Sequence, residues 1–171
     1  MRSFLIVFML VAIAMLCGCS SSGRENVVVG LDDTLVQSRM RPTIQVDIVG
    51  LTDAERRQWD QMSISSYWMP GSEVRWSVAG RALQVRFGPE RAEPVQIGPD
   101  DPIWRTWERA GADWLYIVAN LPGGMADQPG TQDQRRLAIS LRDRTNRPNG
   151  STIRVAVRRD AVAYRIEAGA E

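Results

Sequence analysis

Apolar residues recur at every second position in six separate stretches of this 171-residue chain. They are Ile44, Val46, Ile48; Val74, Trp76, Val78; Leu83, Val85, Phe87; Leu137, Ile139, Leu141; Ile153, Val155, Val157; and Val162, Tyr164, Ile166. Successive strand side chains point to opposite faces, so this spacing predicts half-buried β-strands. Asp113 to Leu121, "DWLYIVANL", is apolar on both faces and belongs in the middle of a sheet. With Val27 to Leu31 and Val95 to Ile97 added, about nine short strands predict an antiparallel β-sandwich or barrel. "AGRA" between Val78 and Leu83 and "RRDA" between Val157 and Val162 are short enough to close hairpins.

Two helices interrupt this pattern. Thr52 with Glu55 forms a capping box for "TDAERRQWDQM", on which Trp59 and Met62 share a face. Asp101 as N-cap, Pro102 at the first position and Gly111 beyond the end bracket "PIWRTWERA", whose stripe is Ile103, Trp104 and Trp107. Both helices are expected to cap the sandwich. Pro122 to Thr131 is a long Gly/Pro loop.

Composition removes much chemistry. The chain has no histidine, and its 21 basic residues are all arginine. Histidine-dependent relays and lysine Schiff bases are therefore excluded, and tetrahedral zinc sites lack ligands in the mature chain. A hydrolase built on two converging carboxylates is the enzyme class left. Asp100 and Asp101 do not amount to one, because helix capping accounts for Asp101. No catalytic residue, metal site or cofactor is expected. From Gln134 to Glu171, nine arginines and four acids give a net +5, read as the solvated face of strands. The mature chain is neutral, which argues against nucleic-acid binding.

The first residues set the location. Phe4 to Leu16 is a run of thirteen apolar residues, about 20 Å as a helix and short of the ~30 Å hydrocarbon core. After Met-Arg it reads as an export signal that is cleaved. Leu16, Cys17, Gly18 and Cys19 resemble the lipobox of bacterial lipoproteins. That resemblance implies cleavage before Cys19 and acylation of it, with acyl chains fastening the protein to a membrane. Ser20 in the next position points to the outer membrane, with the protein facing the periplasm. The expected organisation is a signal over 1–18, a lipidated Cys19 and flexible tether over 19–26, and one sandwich domain over 27–171.

A short tether, a first strand, a loop, "RPTIQVDIVGL" (Arg41 to Leu51), an inserted helix and "GADWLYIVANL" together resemble the lipoprotein of type VI secretion systems. The resemblance implies an antiparallel β-sandwich, transthyretin- or immunoglobulin-like, with one or two short inserted helices, that holds the secretion machine's membrane complex at the outer membrane. The loop from Thr34 to Arg41 then falls where that family meets its inner-membrane partner, which makes Gln37, Arg39 and Arg41 candidate contacts with an envelope protein. The competing reading is a glycan-binding lipoprotein that uses aromatics. All six tryptophans lie between residues 59 and 114. Strand and helix spacing assigns five to the core and leaves Trp68, beside Tyr67, in an exposed loop as a contact pair.

Overall fold

The computed structural model describes residues 24–143, 145, 147–148 and 150–169. The signal, Cys19 and the first tether residues lie outside them.

Eight strands form the sandwich: β1 (Asn26–Leu31), β2 (Ile44–Leu51), β3 (Ala82–Phe87), β4 (Val95–Ile97), β5 (Trp114–Asn120), β6 (Arg136–Ser140), β7 (Thr152–Val157) and β8 (Val162–Glu167). One sheet has the order β4-β1-β7-β8 and the other β3-β2-β5-β6. All pairings are antiparallel except β1 with β7, which run parallel. "RRDA" does close the β7–β8 hairpin, through Arg158 N donating to Ala161 O at 2.8 Å.

The two inner faces meet in one core. Val27, Val29, Ile44, Val46, Ile48, Leu115, Ile117, Ile153 and Val155 are all buried there. Burial of this kind is the main favourable term in folding. β5 is central and covered on both sides as its composition requires: Leu115 and Ile117 face the sandwich, Tyr116 and Val118 the opposite face.

That opposite face carries a layer of helices. α1 (Asp33–Val36) follows β1, whereas α2 (Asp53–Gln61), α3 (Ile64–Trp68) and α4 (Glu73–Ser77) lie between β2 and β3, and α5 (Pro102–Arg109) joins β4 to β5. Trp59, Ile64, Tyr67 and Val78 from the β2–β3 segment pack on Val49, Leu51, Tyr116 and Val118. The Thr52–Glu55 capping box forms at α2. Asp101 caps α5, and Gly111 follows it at φ +70°.

The stretch from Val74 to Val78 is α4 and its C-cap, not a strand, and no hairpin joins it to β3. V-R-W-S-V satisfies a period of two and also the i, i+4 spacing that brings Val74 and Val78 to one helical face. Ser72 Oγ accepts from Arg75 N and starts the helix. β3 pairs with β2 instead, from Ala82 opposite Val49 to Phe87 opposite Ile44.

The topology gives the sandwich two distinct ends. Asn26, Ile97, Thr152 and Glu167 gather at one end of the first sheet, and Leu51, Ala82, Trp114 and Ser140 at one end of the second. α5 bridges these two edges: Trp107 packs against Gly50, and Arg24 pairs with Glu108 at 2.9 Å. This near end is where the chain enters from its N-terminal segment. The connections β1–β2, β3–β4, β5–β6 and β7–β8 all turn at the far end.

Candidate functional site

The far-end loop between β1 and β2 is tightly built. Asp32 Oδ1 accepts from Leu35 N at 3.0 Å and from Thr34 Oγ1 at 2.9 Å, which starts α1. Leu35 is buried in the sandwich core and plugs the loop into it. The Arg41 guanidinium closes the other side, donating to Leu35 O at 3.3 Å, to Gly88 O at 3.2 Å and to Val36 O.

Arg41 therefore faces inward and shapes the loop instead of presenting itself to a partner. Gln37 and Arg39 are exposed, as an outward contact requires. Between them and β2 stands Met40, at 87% exposed the barest large apolar side chain among the described residues. Sequence reasoning did not single it out. Its signal was an unbranched thioether inside the polar run "QSRMRP", a residue suited to adaptable interfaces.

Tyr67 and Trp68 do not form an exposed loop pair. They end α3, whose N-cap Ser63 Oγ accepts from Ser66 N at 3.0 Å. Tyr67 is fully buried, and its hydroxyl donates to Asp47 Oδ2 at 2.8 Å. Burial, together with the Asp47 charge, pushes the phenol far above its usual range, so it remains a donor. Arg75 Nε donates to the same Oδ2 at 2.8 Å, which pairs the buried Asp47. The Arg75 guanidinium lies 4.5 Å over the Trp68 ring, and Tyr67 meets that ring edge-on at 5.2 Å. One face of Trp68 is thus already covered. The pair locks the helical layer to β2, and Tyr67 has no exposed face to offer a ligand.

The other tryptophans divide differently from expectation. Trp59, Trp104 and Trp107 are buried, and Trp114 is partly covered by the Arg56 guanidinium at 4.5 Å. Trp76, expected in the core, is 74% exposed, because α4 turns Arg75 inward to reach Asp47 and leaves Trp76 on the solvent side.

The basic C-terminal stretch is not simply a solvated face. Arg135 and Arg136 are buried. Arg135 Nη2 donates to Asp133 Oδ2 at 2.6 Å and to Asp127 Oδ1 at 2.5 Å. Burial opposes ionisation of Asp127, but donors from Ser63, Ser65 and Arg135 outweigh it and hold the carboxyl well below the usual range. This cluster pins the long Gly/Pro loop between β5 and β6 onto α3. Among the described residues, no group of three or more Cys, Asp or Glu is placed to hold a metal, and no helix is long and apolar enough to cross a membrane.

A two-sheet sandwich with a helical layer inserted after its second strand defines the class of fold. No family model and no curated protein matches the chain. Solved structures do. The chain is similar to one described as a type VI membrane complex, at a TM-score of 0.53 and 14% identity over 82% of this chain and 96% of that one. It is also similar to Serratia marcescens Lip, a membrane-bound component of the type VI secretion system, at a TM-score of 0.51 and 13% identity over 85% of this chain and 99% of that one. The fold is shared almost end to end, as the order of elements in the sequence implied.

Proposed function

We propose that this chain is an acylated envelope lipoprotein, fastened by Cys19 to the outer membrane and facing the periplasm. There it serves as a non-catalytic adaptor in the membrane complex of a type VI secretion system. The observation that carries the proposal is the sandwich fold shared with Lip over 85% of this chain and 99% of that one. The two ends of the sandwich suit such a role. The chain enters at the near end, and β1, about 20 Å long for six residues, carries the Gln37–Met40 segment to the far one. A lipid at Cys19 would then hold one end at the bilayer while the other projects toward partners. The glycan-binding reading loses Tyr67, which is buried, and one face of Trp68, which lies under Arg75.

The test is purification of the detergent-solubilised protein from its own envelope. The proposal expects it to bring down the type VI membrane complex. Substituting Gln37, Arg39 and Met40 together by alanine should reduce that recovery at least tenfold while the protein stays in the membrane fraction. Undiminished recovery would refute the loop assignment. Recovery of the protein without any secretion component would refute the adaptor role.

A further inference from the structure

The indole of Trp76 is the largest exposed apolar group on the helical layer and takes no part in the far-end loop. Its position relative to the chain's entry gives it a use. Arg75 is held at Asp47 in the middle of β2, and six residues later Arg81 Nη1 donates to Gly50 O at 3.2 Å, close to the near end. Arg81 O in turn accepts from Trp107 Nε1 at 2.8 Å on α5, the helix whose Glu108 pairs with Arg24. The segment bearing Trp76 therefore descends toward the same end at which the N-terminal segment arrives.

Cys19 stands five residues before Arg24, a reach of about 18 Å when fully extended. An acylated Cys19 confines the near end to that distance from the bilayer surface. A tryptophan exposed on this segment joins a large apolar ring to a polar N–H, the combination that settles at the headgroup level of membranes. Arg24 and Arg142 at the near end are already paired, with Glu108 and Asp113 respectively.

We propose that Trp76 is a membrane-contact residue: its indole inserts into the headgroup region of the phospholipid leaflet that holds the acyl chains, fixing how the domain sits on the bilayer and where the far-end loop points. This rests on acylation of Cys19.

The full-length acylated protein, reconstituted in vesicles of phosphatidylethanolamine and phosphatidylglycerol with a fraction of the lipid brominated, provides the test. Bromine quenches only indoles that reach the bilayer. The expected result is a loss of emission equal to one tryptophan's share of the six, abolished in Trp76→Ala, with thermal unfolding the same in both proteins. A Met40→Trp protein, with an added indole at the far end, should show no further quenching. Equal quenching of parent and Trp76→Ala, no quenching of either, or additional quenching in Met40→Trp would each overturn the proposal. Mass spectrometry of the same preparations separates the two ways of failing. An unquenched but acylated protein refutes the Trp76 contact alone, and an unacylated Cys19 refutes the anchor and this contact with it.

Discussion

Gly50→Ala is expected to destabilise the protein by about 3 kcal/mol or more, at or beyond the upper range for overpacked cores. A Cβ on Gly50 would lie 2.5 Å from Trp107 Cγ and 2.7 Å from Trp107 Cβ, well inside van der Waals contact. Rotation of the indole cannot relieve both contacts, because one is with the first side-chain carbon. α5 would have to move off β2, breaking the 2.8 Å bond from Trp107 Nε1 to Arg81 O and disturbing the edge-on packing of Trp107 on Trp104 at 5.1 Å. Gly80→Ala is the control: nothing lies within 4 Å of its added carbon, and its cost should stay within about 0.5 kcal/mol. Urea unfolding reads both through the transition midpoint at constant m. Equal midpoints for the two variants would show that α5 does not seat on Gly50 as described.

Arg136→Met should cost about 3–5 kcal/mol, the range for removing one member of a buried charged network. The guanidinium is fully buried and donates to Trp59 O at 2.5 Å, Met62 O at 2.7 Å and Gln128 O at 3.1 Å. It thereby ties the end of α2 and the Gly/Pro loop to β6. Methionine fills much of the same volume but leaves three carbonyls without this donor, each at about 1–3 kcal/mol where water does not reach them. Arg136→Lys is not expected to restore stability, since a single ammonium lacks the planar fork that serves separated acceptors. Asp133 keeps its Arg135 partner in either variant. A shift below about 1 kcal/mol for Arg136→Met would mean that water satisfies these carbonyls equally well.

Arg136 also shows where sequence reading reaches its limit. Its strand, "RLAIS", was legible from the alternation of Leu137 and Ile139, and the same logic located β2, β3, β7 and β8, whereas β1, β4 and the doubly apolar β5 were legible as apolar runs. Alternation places a side chain on a face, but it does not say whether that face meets water or a second layer. The outer face of β3-β2-β5-β6 is covered by α2, α3 and α4, so Arg136 and Asp47, polar on a strand, became internal ties instead of solvated groups. α2 was legible because its capping box is a local signal. α3 and α4 were not, because each has five residues, too few to show a helical period. That omission explains the misplacement of Tyr67, Trp68 and Trp76 together.

In the candidate loop, position was legible and orientation was not. Gln37 and Arg39 point outward, whereas Arg41, three carbons longer than an alanine and adjacent to the same polar run, folds back onto Leu35 O and Gly88 O. Nothing in the local sequence distinguishes these two arginines, since the acceptors that capture Arg41 include a carbonyl 47 residues away. Met40 was overlooked for the converse reason: an apolar residue in a loop is assigned to the core by default, and only the structure shows that Leu35 has already filled that place.

An anchored domain with its docking loop at the end remote from the bilayer requires that the anchor exist. The intact mass of the protein extracted from native membranes measures this in one step. The account predicts a chain that begins at Cys19 and carries the added mass of a diacylglyceryl group and an N-linked acyl chain. A chain retaining residues 1–18, or one with an unmodified thiol at position 19, would contradict it.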